Sequence, residues 1–414
     1  MRETINKILC VVMTSVLLAG IPWQLALAQQ KAESKSKEPP PVVDAKTGKI
    51  LNEAIELLNN EKFEDAKRTL SGLKLDTLSP YERSRVEQIY ASIEHSQGNY
   101  DKARSHFQAA IAAGGLNEQE TKEIKYFIAQ LYISEERWKE GAAALEEWFK
   151  STDKPNSAAY YLLAISYYQM GDFVKATAPA QKAVELSEKP QETFLQLLMS
   201  LYMEREQYTA AIPLLEQLIA LVPEKKTYWL TLSSIYGDKE DYDNALVMME
   251  VPFNAGLLSD ASEYHRLADL LMVAGIPYRA TQVLTKAAKD KKVVEDQKYY
   301  EKLANAWIAA REFDEAAGPL QRAAQISNNG NIYVRLGEVH VQRENWDDAA
   351  SAFQNALNKG GLKETGYANL MLGISLYNQK KYSEALSAFR RAQSSPKERK
   401  SADGYISLIQ SNQG

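Results

Sequence analysis

The chain has 414 residues, of which 45% are hydrophobic and 25% are charged, and its formal net charge is −5 at pH 7. This is the composition of an ordinary globular protein. The negative charge excludes an overall basic field that would attract nucleic acid or anionic lipid. The single cysteine, Cys10, lies in an N-terminal apolar run. The rest of the chain therefore has no disulfide, no thiolate nucleophile and no sulfur-based metal site.

Residues 1–28 have the pattern of a secretory signal peptide. Arg2 and Lys7 precede an apolar run over 8–19, and Ala26-Leu27-Ala28 has the small-x-small form of a cleavage site. The alternative is an uncleaved membrane anchor, but the run is short for a span of about 20 residues. We therefore expect export to the periplasm, with no transmembrane segment after cleavage.

Residues 29–49 are polar and include three consecutive prolines at 39–41. Such a segment has little apolar surface to bury, so we expect a flexible tether. A proline run can also be a ligand for an aromatic groove, and a linker is the preferred interpretation here.

The stretch 157–190 contains two helical patterns joined by Met170-Gly171-Asp172. Apolar residues recur at spacings of three and four in each half, which is typical of one face of a helix. Gly171 is expected to provide the tight turn, because glycine tolerates backbone angles that other residues resist. Ala164 and Ala176 are small where two antiparallel helices must approach closely. The stretch therefore predicts a helix–turn–helix unit of about 34 residues.

This unit recurs ten times along the chain. In each copy a small residue stands three positions after a larger anchor residue, and successive anchors are 33 to 38 residues apart. The anchors are Phe63, Tyr100, Trp138, Phe173, Tyr208, Tyr242, Pro277, Phe313, Trp346 and Tyr382. In length and pattern the chain resembles tetratricopeptide repeat (TPR) proteins. The resemblance implies an all-α, right-handed superhelical solenoid of about ten helix–turn–helix repeats over 50–396.

The connectors and the C-terminal segment refine this prediction. The Gly-Gly-Leu sequences at 114–116 and 360–362 predict helix ends with glycine in the left-handed conformation. Pro252 and Gly256 predict a shortened helix and a change of path near 250–261. Residues 397–414 are expected to form a capping helix and tail, with an apolar stripe at Tyr405, Leu408 and Ile409.

No catalytic pattern is found in the sequence. The four histidines, His95, His106, His265 and His340, do not form any metal-ligand spacing, and His340 is expected to be a core residue. Neither a phosphate-binding glycine loop nor a G-x-S-x-G motif occurs. We therefore expect no enzyme activity, no cofactor and no metal, the alternative being an enzyme built from carboxylates alone.

In TPR proteins, positions 2, 5, 9, 12 and 13 of each first helix line a concave groove. The resemblance places the following residues there: Tyr126, Tyr161, Ile165, Tyr168, Met203, His265, Met272, Ile308, Val341, Tyr367, Ile374 and Tyr377. A groove rich in tyrosine and methionine suits an apolar or extended peptide partner, and its centre is expected over 157–203. The alternative is that neighbouring helices cover some of these side chains.

One TPR subclass holds a peptide carboxylate with lysine at position 5 and asparagine at position 9. Here only Asn305 matches, at position 9, so this kind of chaperone-tail binding is not expected.

A narrower resemblance comes from the N-terminal part of the chain and its connectors. The signal-peptide pattern, the proline-containing tether, the sequence KTGKILNEAIELLNNEKFEDAK and the Gly-Gly-Leu connectors are similar to a group of periplasmic TPR proteins. These accompany TonB–ExbB–ExbD energy-transduction systems in marine gammaproteobacteria. The resemblance implies a non-catalytic scaffold for TonB, ExbB or ExbD-type subunits. Two alternatives are an accessory factor for envelope or outer-membrane assembly and a carrier or sensor that binds a small molecule in the groove.

Overall fold

The computed structural model describes residues 42–413, with side chains up to Ser411. This part of the chain contains 21 α-helices, one 3₁₀ turn at Leu75–Thr77 and no strand. The all-α prediction is confirmed, and the helices follow one another as repeated pairs. The helices form two compact units, unit 1 ending at Val222 and unit 2 beginning at Pro223.

Unit 1 consists of five helix pairs, in which odd-numbered helices are the first and even-numbered helices the second of each pair. Its helices are α1 (Ala45–Asn59), α2 (Phe63–Ser71), α3 (Pro80–Ser96), α4 (Tyr100–Ala112), α5 (Glu118–Ser134), α6 (Trp138–Ser151), α7 (Ser157–Gln169), α8 (Phe173–Glu185), α9 (Glu192–Glu204) and α10 (Tyr208–Leu221).

Unit 2 consists of five further pairs and a final single helix. Its helices are α11 (Lys226–Asp238), α12 (Tyr242–Asn254), α13 (Ala261–Val273), α14 (Pro277–Lys289), α15 (Gln297–Ala309), α16 (Phe313–Ile326), α17 (Asn331–Gln342), α18 (Trp346–Lys359), α19 (Thr365–Asn378), α20 (Tyr382–Ala392) and α21 (Arg399–Gln413).

The two helices of each pair pack closely because the predicted small residues lie between them. The residue three positions after the anchor is alanine or glycine in all ten pairs, and it is buried in each. At Gly141 a Cβ atom would lie 2.6 Å from Cγ1 of Ile133 on the preceding helix, too close for any other residue without movement. The small side chain is therefore required by the distance between the helices, as the sequence pattern predicted.

Every turn within a pair contains one residue in the left-handed conformation, two positions before the anchor. These residues have φ between 54° and 77° and are Glu61, Gly98, Glu136, Gly171, Glu206, Glu240, Gly275, Arg311, Glu344 and Lys380. At Gly171 the backbone N–H donates to the Tyr168 carbonyl, and the N–H of Asp172 donates to the Tyr167 carbonyl, both at 2.9 Å. This is a Schellman motif, which satisfies carbonyls at the helix end. Only three of the ten positions carry glycine, among them Gly171, for which the turn was predicted.

The structure changes two expectations about element boundaries. Helix α1 begins at Ala45 rather than at residue 50, because the Asp44 side chain accepts from the Lys46 N–H at 3.0 Å and caps it. The expected shortening at Pro252 is wrong, since α12 has 13 residues like its neighbours. Pro252 lies in the last turn, where its missing N–H costs a single helical hydrogen bond. The boundary between units 1 and 2 lies at 222/223, and the change of path expected near 250–261 stays a prediction.

The glycine connectors and the last helix agree with the expectations in most respects. Gly114 and Gly360 both have φ of 73°, as predicted for left-handed caps. In α21, Ile409 is buried against the core of the last helix pair, together with Ala402, whereas Leu408 is exposed. The predicted signal peptide and most of the predicted tether lie outside the described residues.

Candidate partner-binding surface

Polar contacts connect the successive first helices of unit 2. We call the four contacts that join each helix to the next the polar ladder. They are Arg266 to Ser234 (Nη1 to Oγ, 3.0 Å), Lys302 to Asp269, Arg335 to Asn305, and Tyr367 to Glu338 (Oη to Oε1, 3.0 Å). Together they link α11, α13, α15, α17 and α19.

The polar ladder recurs along unit 2 because its residues occupy equivalent positions in successive repeats. The four acceptors all stand at repeat position 9, eight residues before the anchor of their own repeat, at intervals of 33 to 36 residues. Three of the four donors, Arg266, Lys302 and Arg335, stand at repeat position 6, eleven residues before the anchor of the next repeat. The equivalent positions in unit 1 carry Ile89, Phe127, Leu162 and Leu197. A cation at position 6 thus occurs in three repeats of unit 2 and in none of these four repeats of unit 1, and the pattern of apolar groove residues did not predict it.

The ladder contacts are partly open to solvent. Asp269 is 60% exposed and its partner Lys302 is 22% exposed, counting side chains alone. Arg335 also lies 3.8 Å from a carboxylate oxygen of Glu301. Exposed pairs of this kind contribute only about 0–1 kcal/mol each to stability. Their polar atoms therefore remain available to a partner at small cost to the fold.

Tyr367 adds a neutral hydrogen-bond donor to the ladder. Burial, and then the neighbouring Glu338 carboxylate, raise the pKa of Tyr367 to about 12. The phenol therefore keeps its proton at neutral pH and donates it to the Glu338 carboxylate.

A row of apolar side chains runs beside the polar ladder. We call Met272, Ile308, Val341 and Tyr377 the apolar row, one residue from each of α13, α15, α17 and α19. The first three follow a ladder acceptor by three positions, which places them next to it on the same helix face. All four are partly exposed. Unit 2 therefore presents parallel polar and apolar strips. Five of the expected groove residues belong to these strips: Met272, Ile308, Val341, Tyr367 and Tyr377.

His265 occupies position 5 of α13, one turn before the ladder residue Asp269. It is partly exposed, and its Nδ1 atom is buried with no hydrogen-bond partner in the described part of the chain. Burial, and then the charges of Lys302 and Lys298, lower the pKa of His265. The imidazole is therefore neutral at pH 7 and has an unused ring nitrogen beside the ladder. His340, by contrast, is buried, as expected for a core residue.

The expected groove residues of unit 1 have a different environment. Tyr161, Ile165 and Tyr168 are only 4%, 3% and 6% exposed, so the expectation that they are open side chains is corrected. The Tyr161 ring stacks on Phe194 of the next first helix, with centroids 4.7 Å apart. Large aromatic rings in adjacent first helices gain more by packing on each other than by remaining in water.

The two remaining unit 1 residues, Tyr126 and Met203, are partly exposed. The Tyr126 ring stacks on Trp148 at 4.7 Å, and burial raises its pKa to about 12. That any of the twelve predicted residues contacts a partner stays a prediction.

Two kinds of feature are absent from the described residues. In the range with described side chains, His, Cys, Asp and Glu residues do not come together in any group of three that could hold a metal ion. Among the helices from α1 to α21, none combines the length and the apolar character needed to cross a membrane.

A family model for the tetratricopeptide repeat matches residues 51–118, 91–155, 126–192 and 334–399, which together make up half of the chain. The chain belongs to the tetratricopeptide repeat family. This fold is that of a protein–protein interaction scaffold. Most of the polar ladder lies within 193–333, between the matched ranges.

No curated protein matches the chain. Among solved structures, a tetratricopeptide repeat protein from Parabacteroides merdae is 16% identical, with a TM-score of 0.34, over 62% of this chain and 99% of that chain. The MamA protein is 22% identical, with a TM-score of 0.36, over 44% of this chain and 96% of that chain. The structure of Naa15/Naa10 bound to HypK-THB is 15% identical, with a TM-score of 0.45, over 89% of this chain and 61% of that chain.

Proposed function

We propose that the chain is a non-catalytic scaffold that binds a protein partner along the first helices of unit 2. The observation that carries this proposal is the parallel arrangement of the polar ladder and the apolar row. An extended partner segment has backbone N–H and C=O groups that need hydrogen-bond partners, and side chains that gain by burial. The ladder and the unpaired Nδ1 of His265 serve the first need, and the apolar row serves the second.

We further propose that the partner is a subunit of a TonB–ExbB–ExbD-type complex and that the protein works in the periplasm after export. This part rests on the signal-peptide pattern, the proline-containing tether and the resemblance to periplasmic TPR proteins that accompany such systems. The repeat fold supports the coarser proposal of a protein scaffold, because TPR arrays bind proteins through extended surfaces made by neighbouring repeats.

Affinity capture of the tagged full chain from its own cell envelope, followed by mass spectrometry, tests both parts. Ile308→Asp places a charge in the apolar row and is expected to remove the partner from the captured material. Truncation of one interface anchor typically costs about 2 kcal/mol or more, and a buried charge costs more still. Val247→Asp is the matched control, because Val247 is 49% exposed on the second helix α12 and lies outside both strips.

The two parts of the proposal fail in different ways. Equal capture by the wild type and by Ile308→Asp would contradict the placement of the partner on the apolar row. Specific capture of outer-membrane client chains, with no TonB, ExbB or ExbD-type subunit, would contradict the energy-transduction role but not the scaffold role.

A further inference from the structure

A shallow cleft of about 450 Å³ lies beside α14 in unit 2. Gln282, Thr285 and Lys289 stand about one turn apart on α14 and form one side of it, while Trp307 of α15 is its aromatic lining residue. The cleft includes no residue of the polar ladder or the apolar row. It is therefore a second surface, separate from the one on which the proposed function rests.

One end of the cleft is apolar and open. The Trp307 ring meets the Tyr278 ring edge to face, with centroids 5.7 Å apart. Tyr278 is 52% exposed, and Val273 and Ile276 just before it in the chain are 60% and 47% exposed. Large side chains that are left in water as a group mark interaction sites more often than scattered ones do.

The other end of the cleft is positively charged. Lys286 and Lys289 line it, and Asp290 is the single carboxylate that lines it, 2.7 Å from Lys286 Nζ. The pKa of Asp290 is lowered, first by the hydrogen bond from Lys286 and then by the positive charges of Lys286, Lys289 and Lys292. Lys289 has no ion-pair partner within the described residues. Three lysines around one carboxylate leave an excess of positive charge in a chain whose net charge is −5.

We propose that this cleft binds an acidic segment of a protein partner in which an aromatic or large aliphatic residue stands among the carboxylates. The apolar side chain packs on Trp307 and Tyr278, and the carboxylates lie against Lys286 and Lys289. Charge complementarity selects this occupant, because it neutralises the excess lysines while covering the exposed rings. A nucleic acid or a lipid surface needs a more extended array of cations than one end of a narrow cleft supplies.

The direct test is a titration of the full chain with the fluorescein-labelled peptide acetyl-Glu-Asp-Phe-Leu-Asp-Glu-amide, followed by fluorescence anisotropy. We expect a Kd of about 1 mM or tighter. Binding should weaken about tenfold in Lys289→Glu, which replaces attraction by repulsion, and by less than about twofold in Lys363→Glu. Lys363 is the matched control, an exposed lysine of unit 2 outside the cleft. Raising the salt from 50 to 500 mM should weaken binding about fivefold, because the charges are exposed.

Three comparisons separate the proposal from simpler interpretations. The peptide acetyl-Lys-Arg-Phe-Leu-Arg-Lys-amide should not bind, and acetyl-Glu-Asp-Ser-Ser-Asp-Glu-amide should bind about tenfold more weakly, because it lacks the side chains that cover Trp307. Thr285→Glu, at an exposed position of the cleft, should lower affinity for the acidic peptide without disturbing the core.

Three results would overturn the proposal. The first is equal affinity for the acidic and basic peptides, or for wild type and Lys289→Glu. The second is binding of phosphatidylglycerol vesicles in the absence of peptide binding, which would assign the lysines to a lipid surface. If Lys289→Glu lowers thermal stability but no acidic peptide binds, the lysines serve only the C-terminal dipole of α14, and the proposal is likewise overturned.

Discussion

Replacing Glu136 by glycine is expected to stabilise the α5–α6 helix pair of unit 1. Glu136 has φ of 58°, in the left-handed region, and its side chain is exposed. A residue with a Cβ atom is strained there by about 1–2 kcal/mol. Glycine removes this strain but increases the conformational entropy of the unfolded chain, which costs about 0.5–1 kcal/mol. The expected net gain is about 0.5–1 kcal/mol.

The opposite change at the next turn serves as the matched variant. Gly171 has φ of 77°, and no atom lies within 4 Å of the position that an added Cβ atom would occupy. Gly171→Ala therefore introduces backbone strain without a steric clash, and is expected to destabilise the α7–α8 pair by about 1 kcal/mol. Glu136→Gln removes the charge but keeps the Cβ atom, so it should leave the stability of α5–α6 unchanged.

Hydrogen exchange measured by mass spectrometry is the appropriate assay, because a repeat array does not have a single well-defined unfolding free energy. It reports the opening of each helix pair separately. Glu136→Gly should raise amide protection in α5 and α6 about two- to fivefold, which corresponds to the expected gain. Equal protection in Glu136→Gly and Glu136→Gln, or unchanged protection in Gly171→Ala, would refute the argument from left-handed strain.

Three further predictions concern unit 2. Gly373→Ala places a Cβ atom 2.5 Å from Phe389 Cε1 and should lower the free energy of unfolding by about 1–3 kcal/mol. The expected observation is a lower Tm, which a second substitution in the same chain, Phe389→Leu, should partly restore. Burial lowers the pKa of His340 below its ordinary value of 6.5, so on acidification the unfolded chain binds a proton at this histidine before the folded chain does. The stability of the folded chain should therefore hold above about pH 6.5 and fall below it. In His340→Leu the fall of Tm between about pH 7.5 and 5.5 should be shallower. Lys302→Met should lower the free energy of unfolding by about 0.2–1 kcal/mol in low salt and by less in 1 M salt. A double-mutant cycle with Asp269→Asn should give a coupling energy of the same size. A loss of stability that does not depend on salt would contradict an exposed ion pair.

Much of the fold could be predicted from the sequence because it depends on local, repeated constraints. Apolar spacings of three and four predict helices, and the small residue after each anchor marks where two helices must approach closely. The structure buries that residue in every pair, from Ala66 in α2 to Ala385 in α20. The turn at Gly171 could be predicted for a similar reason, since glycine is the residue that enters the left-handed region at least cost. At Glu136 the same conformation occurs without glycine, so the residue type alone does not predict it.

The candidate surface of unit 2 was predicted only in part, because it depends on which side chains meet across neighbouring repeats. Lys302 and Asp269 are 33 residues apart and meet only when α15 stacks beside α13. Their periodic positions were visible in the sequence, but their contact was not. The burial of Tyr161 likewise depends on its environment, including Phe194 on the next first helix, and not on its own helix position. Local periodicity therefore determined the helices and their pairing, whereas the stacking of pairs decided which side chains are buried, which contact the next repeat and which remain exposed.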